Sequence, residues 1–243
     1  MTRLRGALAI ALAVCLAGAW QDAKPAAQTA DEIVGKNIQA KGGLQKLKAI
    51  STIKQTGTLT LQGVETPVTI YSKRPNLQRQ EITVGDKMVV NGFDGVTAWI
   101  INPLLGAPGP IQVTGPQADA IREQSNFDGP LVDYKRQGTT IAVVPGDDML
   151  DGRKLIHLKL TTRLQNVTHL YLDAETYLEA KMQTVTPRMT VEQQILDFRD
   201  VDGVKVAFRT RTMANGQIQS ELKLESVEFD TPMELSLFKA KAS

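Results

Sequence analysis

The chain has 243 residues, 42% of them apolar and 5% aromatic, which suits one sizeable domain with a mainly aliphatic core. Its 28 Lys and Arg residues nearly balance its 26 Asp and Glu residues, and the net charge of +2 excludes the strongly basic footprint of a nucleic-acid-binding protein. A single cysteine excludes an internal disulfide framework, so burial of the core has to provide the stability.

Residues 1–19 are predicted to be a signal peptide. Arg3 and Arg5 form a positive start, and residues 6–19 form an apolar run that is shorter than the roughly 20 residues of a membrane span. Residues 17–19 follow the small-x-small pattern, so we expect cleavage directly after them and export from the cytoplasm. An uncleaved N-terminal anchor is the alternative.

Cys15 leaves a second mode of export open. Residues 12–15 loosely resemble the cleavage box of a lipoprotein, in which the cysteine becomes the lipid attachment point. Val14 is larger than the small residue that usually precedes such a cysteine, so soluble export is favoured over a protein that is lipid-anchored through Cys15. With cleavage after residue 19 the mature domain has no cysteine.

Residues 20–28 form a polar and alanine-rich linker, and one N-terminal helix is predicted to follow it. Thr29 and Glu32 have the spacing of a capping box, in which each side chain bonds the other residue's backbone N–H. Residues 42–43 are both glycine and end this helix, because glycine accepts the left-handed conformation of a helix cap. The apolar spacing of residues 44–50 indicates one or two further turns.

The apolar period then changes from 3.6 residues to 2. Leu59 and Leu61 fall on one face of a predicted strand, while Thr58 and Thr60 fall on the other. Many such runs follow, and several are separated by glycine-containing turns at residues 85–86, 91–92, 202–203 and 215–216. This spacing predicts a large antiparallel sheet with local connections, a meander, rather than parallel βαβ units.

Residues 103–138 interrupt this rhythm. The stretch 103–116 is rich in glycine and proline, and residues 116–125 are predicted to form a short helix with Ala118 and Ile121 on one face. An excursion this long inside a meander is usually functional or disordered, so we interpret it as a flap over one side of the sheet, with a solvated loop as the alternative. Periodicity leaves open whether helix and flap fill the concave face or leave an apolar cavity for acyl chains.

The sequence contains few of the patterns that are typical of catalytic sites. The sequence has no Gly-x-Ser-x-Gly elbow and no phosphate-binding glycine loop. The two histidines, His157 and His169, lack the spacing of a zinc site and are interpreted as strand residues on a polar face. We therefore predict a protein that is not an enzyme and that needs no cofactor and no metal.

Two motifs lie between residues 73 and 103. Residues 73–79 read Lys-Arg-Pro-Asn-Leu-Gln-Arg, and residues 94–103 read Asp-Gly-Val-Thr-Ala-Trp-Ile-Ile-Asn-Pro. In order and spacing they resemble the periplasmic lipoprotein carriers of the LolA type, whose pattern is Lys-Arg-Pro-Asn-Leu-x-Arg followed by Asp-Gly-x-Thr-x-Trp-x-x-Asn-Pro. Looser similarity follows at residues 171–173, 176–178, 198–201 and 227–238.

The resemblance implies a mainly β, α+β fold in a single domain over residues 29–243. The expected form is an unclosed antiparallel β-barrel of about 10–12 strands, whose concave face is covered by the N-terminal helix and by a helical lid at about 103–138. The resemblance also implies a non-catalytic, monomeric periplasmic carrier that binds lipoprotein acyl chains or other lipid. Its partners would be an inner-membrane transporter and an outer-membrane acceptor.

Four residues are the candidates for ligand or lid binding. By its place in the motif, Arg79 matches the arginine that in the family hydrogen-bonds to lid backbone and holds the empty state closed. The alternative for Arg79 is a surface pair with Glu81 or with a neighbouring strand. Leu77 shares this strand face. Trp99 either lines the cavity or fills the core, which is the commoner role of a strand tryptophan, and Ile121 lies on the lid helix.

Two other functions are compatible with the same fold. One is an envelope-stress sensor or regulatory lipid-binding protein, and the other is an anchored lipoprotein acceptor, which would keep Cys15. Residues 80–83 are more polar than the corresponding strand of the carriers, so the cargo and the transporter partner are not specified by the motif.

Overall fold

The computed structural model describes residues 28–163, 165–186 and 189–240. The predicted signal peptide, Cys15 and almost all of the linker lie outside these residues. The helices are α1 (Ala30–Ala40), α2 (Leu44–Ala49) and α3 (Gly115–Gln124), and short 3-10 turns lie at Pro103–Leu105 and Leu235–Phe238. Within the described ranges no helix is long and apolar enough to cross a bilayer.

The described chain contains fourteen strands. The first six are β1 (Thr52–Leu61), β2 (Val64–Lys73), β3 (Leu77–Val84), β4 (Lys87–Phe93), β5 (Ala98–Asn102) and β6 (Ala107–Gln112). The other eight are β7 (Thr140–Val144), β8 (Met149–Leu150), β9 (Arg153–Thr161), β10 (Val167–Asp173), β11 (Glu179–Val185), β12 (Thr190–Val201), β13 (Val204–Ala214) and β14 (Gln217–Phe229).

The sheet is an open, antiparallel meander in two halves. Strands β6 to β1 follow one another in reverse chain order, strands β14 to β9 do the same, and β7 completes the path beside β9. The pairing of β1 with β14 joins the halves, and β8 forms only a small hairpin with β9. The predicted unclosed barrel and its local connections are confirmed.

The prediction of about 10–12 strands was too low, chiefly because residues 103–116 were expected to be irregular. Residues 107–112 instead form β6, which pairs with β5 through Trp99 opposite Gln112 and Ile100 opposite Ile111. Pro108 and Pro110 are compatible with this strand because β6 is at the edge of the sheet, where one row of backbone N–H groups needs no partner.

Helix α1 begins with the predicted capping box. The backbone N–H of Thr29 donates to Glu32 Oε2 at 2.8 Å, and the N–H of Glu32 donates to Thr29 Oγ1 at 3.3 Å. After the helix, Gly42 has φ of +121°, and a Cβ there would lie 2.5 Å from the Gly203 carbonyl oxygen. Glycine therefore allows both the turn and the close approach of the β12–β13 hairpin.

The hairpin turns alternate between two ends of the sheet. One end, called the rim end, contains the β1–β2, β3–β4, β11–β12 and β13–β14 turns. The opposite end, called the floor end, contains the β2–β3 and β12–β13 turns together with α2. There the backbone N–H of Lys205 donates to the Lys41 carbonyl oxygen at 3.0 Å, which ties the helices to the sheet.

Strand alternation gives the sheet two differently covered faces. On the concave face, Ile33 and Val34 of α1 pack on Leu158 and Leu172, while Ile121 of α3 packs on the other half of the sheet. On the convex face, the 3-10 turn Leu235–Phe238 packs against β3 to β5. Its Phe238 is fully buried, and the Nε1–H of the fully buried Trp99 donates to the Phe238 carbonyl oxygen at 3.0 Å.

The turn expected at residues 91–92 is not a turn. Gly92 lies within β4, directly opposite Trp99 of β5, and the Trp99 ring covers it. The turn follows at Asp94, whose Oδ1 accepts from the backbone N–H groups of Val96 and Thr97 at 3.0 and 2.7 Å. Gly92 is thus required by packing against an aromatic ring.

We expect Gly92→Val to destabilise the fold by about 3 kcal/mol or more, since overpacking a fixed core typically costs 1–3 kcal/mol and here the ring has no free space. A Cβ on Gly92 would lie 2.2 Å from Trp99 Cζ2. Urea unfolding would measure the change. Gly109→Val is the control, because a Cβ there meets nothing within 4 Å and Gly109 does not have a positive φ.

Candidate functional site

Of the lid predicted at about 103–138, residues 107–112 instead join the sheet as β6, and the name lid is used below for residues 115–138. Two adjoining cavities occupy the concave face beneath this lid. The larger, of about 610 Å³, lies toward the rim end, and the smaller, of about 330 Å³, lies at the floor end. Met182 and Gln193 line both cavities, so the two spaces meet at these side chains. The lid contributes residues 126–130 and Val132 to the floor cavity and α3 to the rim cavity.

The floor cavity is mostly apolar. Its aliphatic and aromatic side chains come from α2, the lid and both halves of the sheet: Leu47, Ile50, Ile53, Phe127, Pro130, Val132, Leu170, Met182, Ile195, Phe198, Val204, Val206, Ala207 and Phe229. Such a surface favours hydrocarbon over water.

The rim cavity has a mixed lining. Its aliphatic side chains are Leu59, Leu61, Ile70, Val191 and Leu222. Between them stand uncharged groups that can donate and accept hydrogen bonds: Gln78, Gln80, Gln124, Gln193, Thr184, Thr210, Thr212 and Ser220. Among the described residues, Glu123 is the one ionisable side chain in this lining. The floor lining is thus mostly apolar but includes the charged residues Lys41, Asp128, Glu179 and Lys205, whereas the rim lining mixes aliphatic and uncharged polar side chains with one glutamate.

Arg74 is at the centre of the contacts that hold the lid. Its Nε donates to the Ile50 carbonyl oxygen at 2.6 Å, and Nη2 donates to the Leu47 carbonyl oxygen at 2.7 Å. Nη1 forms an ion pair with Asp128 of the lid at 2.8 Å, and the guanidinium lies 4.4 Å from the centroid of the Phe127 ring. One planar side chain thus connects α2, β2 and the lid.

Lys48 of α2 strengthens the same contact. Its Nζ lies 2.6 Å from Asp128 Oδ2 and 2.9 Å from Asp133 Oδ2, both on the lid. The hydrogen bond to Asp128 is the main reason why the pKa of Lys48 is raised, and the bond to Lys48 is the main reason why the pKa of Asp133 is lowered. A more exposed pair, Lys135 with Asp31 at 2.7 Å, links the lid to α1.

The helical part of the lid is held mainly by apolar packing. Ala118 and Ile121 are buried against Phe93 and its neighbours on the concave face. The side-chain amide of Gln78 donates to the Gln124 carbonyl oxygen at 3.0 Å, at the end of α3. The lid is therefore closed in this structure. Ion pairs hold one end of it, and apolar packing holds the other.

Arg79 does not hold the lid, contrary to the expectation from the resemblance. Its Nε donates to Glu81 Oε1 at 2.7 Å, Nη1 donates to the Leu237 carbonyl oxygen at 3.4 Å, and its guanidinium lies 5.5 Å from the Trp99 ring. The physical reason is strand alternation: Gln78, one residue earlier, faces the cavity, so Arg79 faces the convex side. The surface pair with Glu81 was the correct alternative.

The other three candidates are buried but do not line either cavity. Leu77 lies beside the β4–β5 turn, where a Cβ on Gly95 would be 3.3 Å from its Cδ2. Trp99 fills the convex core, as strand tryptophans commonly do. Ile121 anchors the lid helix to the sheet. Whether any of the three affects ligand binding stays a prediction.

Both histidines lie on the convex side. His157 Nε2 and His169 Nδ1 are 2.7 Å apart, and the His157 ring stacks on Tyr171 with ring centroids 4.3 Å apart. Burial lowers the pKa of His157. Among the residues that the structure describes, no group of three or more His, Cys, Asp or Glu side chains could hold a metal ion.

The sequence interpretation missed Arg74, Lys48 and Asp128. Arg74 belongs to the same motif as Arg79, and it precedes a proline in a turn, where a long side chain can reach neighbouring elements. No local pattern pairs Arg74 with Asp128, which lies 54 positions later, or brings Lys48 to the same carboxylate.

Comparison with known proteins relates the fold to other structures. No protein-family model matches the chain, and no curated protein matches it. The crystal structure of a DUF1329 family protein from Desulfovibrio piger superposes with a TM-score of 0.61 at 9% identity, covering 88% of this chain and 98% of that one. The crystal structure of a LolA superfamily protein from Nitrosomonas europaea gives a TM-score of 0.58 at 15% identity, with the same coverage. The chain has a LolA-like fold.

Proposed function

Taking the LolA-like fold as the premise, we propose that the protein is a non-catalytic carrier, which holds the acyl chains of a lipoprotein or another lipid on its concave face and transports them toward the outer membrane. The main support for this proposal is the mostly apolar floor cavity beneath the closed lid. Cavities of 330 and 610 Å³ are within the usual range of small-molecule sites, about 300–1,000 Å³.

The energy of such binding comes from hydrocarbon burial. At about 25 cal/mol per Å², an acyl chain that buries about 300 Å² gains on the order of 7 kcal/mol. Opening the lid breaks a few hydrogen bonds, each with a net contribution of about 1 kcal/mol. The cargo can therefore offset the loss of the lid contacts, while an empty protein keeps its lid closed.

The rim end offers a place where lipid enters. Exposed aliphatic side chains stand on neighbouring hairpins there, with exposed fractions of 61% for Val64, 58% for Ile218 and 39% for Leu61, which also lines the rim cavity. The 3-10 turn after β5 adds Leu105, 81% exposed. Apolar side chains grouped around a cavity mouth fit contact with a lipid surface.

We expect the triple variant Leu61→Ser, Val64→Ser and Ile218→Ser to take up a fluorescent acyl lipid from vesicles about tenfold more slowly than wild type, because its rim has lost apolar contact with the donor surface. Stopped-flow fluorescence with vesicles of zwitterionic phospholipid would measure the rate.

The matched control changes three exposed aliphatic side chains away from the rim: Leu44→Ser, Val96→Ser and Met149→Ser. This variant should take up lipid at the wild-type rate. Equal slowing in both triple variants would show that the rim has no special part in uptake.

The proposed site of action is the periplasm, and the proposed partners are an inner-membrane transporter and an outer-membrane acceptor, with the protein acting as a monomer. The sequence features of residues 1–19 and the LolA-like fold support this placement.

The test is to purify the protein from its native envelope, identify bound molecules by native mass spectrometry, and extract and analyse the lipid. A lipid or an acylated protein bound in a 1:1 ratio supports the proposal. A ligand-free protein that also fails to bind a fluorescent fatty acid would refute it.

A further inference from the structure

A β-bulge determines which way Glu179 points. In the pairing of β10 with β11, Tyr171 is opposite Lys181 but Leu172 is opposite Glu179, so Ala180 is an extra residue. Lys181 therefore stays on the convex side, with its Nζ 4.5 Å from the centroid of the Tyr171 ring. Glu179 turns to the concave side and lines the floor cavity. Bulges commonly redirect a side chain toward a functional site.

Glu179 is a nearly buried carboxylate with an unused acceptor. Its side chain is 12% exposed, and Oε1 lies 3.0 Å from the Nζ of Lys41, just after α1. Oε2 is buried and has no hydrogen-bond partner among the residues that the structure describes. A buried charged oxygen left unbonded is costly, and native proteins leave few such groups unsatisfied. Packing of the floor cavity gives no reason to keep one there.

The charge around Glu179 limits what it can bind. Lys41 already balances the carboxylate, and the other lysine of this lining, Lys205, lies 3.5 Å from Asp200. A cationic ligand would thus bring an unbalanced charge into an apolar cavity, and an anionic ligand would meet the unbonded oxygen. A neutral group with one hydrogen to donate satisfies the oxygen without adding charge.

We propose that Glu179, positioned by the Ala180 bulge and neutralised by Lys41, accepts a hydrogen bond from a neutral hydroxyl or amide N–H of the lipid bound in the floor cavity. The proposal rests on the proposed function and adds to it a selection for lipids with such a donor. Lys41 directly follows α1 and Glu179 begins β11, so the site is formed only in the folded domain.

The experiment compares two probes of equal chain length, 1-dodecanol and its methyl ether, as competitors of an uncharged fluorescent acyl-ester analogue. In the ether, a methyl group replaces the hydrogen that the alcohol can donate. We expect the ratio of their inhibition constants to favour the alcohol by about tenfold more in wild type than in Glu179→Gln, whose amide can present N–H instead of an acceptor.

The double variant Lys41→Met and Glu179→Leu removes the pair without leaving an unbalanced charge, and it should show the same reduced ratio as Glu179→Gln. A ratio that is the same in wild type and in both variants would overturn the inference about Glu179 while leaving the carrier function intact. Failure of both probes to displace the analogue from wild type would instead contradict the carrier function.

Discussion

Replacing Arg74 by methionine is expected to open the lid and to speed both uptake and release of an acyl ligand. The change removes the hydrogen bonds that Arg74 donates to the carbonyl oxygens of Leu47 and Ile50. It also removes the ion pair with Asp128. Arg74 and Asp128 are 23% and 18% exposed in their side chains, so solvent screens part of the interaction. A loss on the order of 2 kcal/mol for the closed lid is a reasonable expectation.

That loss corresponds to a population of open lid about 10–30 times larger. Hydrogen exchange should therefore become faster by a similar factor in residues 115–138, and little in β12 and β13. Asp128→Asn keeps the shape of the side chain but weakens its ion pairs with both Arg74 and Lys48, so it should change lid exchange in the same direction. The rate of release of a fluorescent acyl ligand gives the functional measure.

Arg79→Met is the matched control, because Arg79 lies five residues away on the convex face and bonds to Glu81 and Leu237 instead of the lid. It should leave lid exchange and ligand release unchanged. If Arg79→Met opened the lid and Arg74→Met did not, the conclusion that Arg74 holds the lid closed would be wrong.

The second large effect is expected at Phe238. Its side chain is fully buried on the convex face beside Trp99, in the last turn of the described chain. Phe238→Ala should lower the free energy of unfolding by about 3–5 kcal/mol, because it leaves a cavity that the sheet cannot fill. Urea denaturation followed by tryptophan fluorescence would measure the loss.

Leu235→Ala tests the same turn at an exposed position, since Leu235 is 58% exposed. Its effect should be within about 0.5 kcal/mol of wild type. A change of less than about 1 kcal/mol for Phe238→Ala would show that the turn Leu235–Phe238 does not stabilise the sheet.

The sequence predicted best those features that depend on residues close together in the chain. The capping box of Thr29 and Glu32 and the period of 2 along the strands depend on neighbouring residues, and both were predicted correctly. Strand β6 was missed because Pro108 and Pro110 argue against a strand, and only the edge position of β6 makes them acceptable.

The site was less predictable because its contacts join distant parts of the chain. The motif that contains Arg74 and Arg79 gave the fold, but the face of each side chain depends on the register of β3 relative to the cavity. The ion pair of Asp128 joins the lid to a residue far away in the chain, and the bulge at Ala180 depends on how two strands pair. No local pattern specifies either contact.

The most direct test of the carrier function is whether blocking the cavity abolishes ligand binding. Gln193 lines both cavities, whereas Gln194, the next residue on β12, pairs with Lys181 and faces the convex side. Titration of a fluorescent fatty-acid analogue into wild type, Gln193→Trp and Gln194→Trp compares the same substitution on opposite faces. We expect saturable 1:1 binding to wild type and Gln194→Trp, and at least tenfold weaker binding to Gln193→Trp. No binding to wild type, or undiminished binding to Gln193→Trp, would contradict the proposed carrier function.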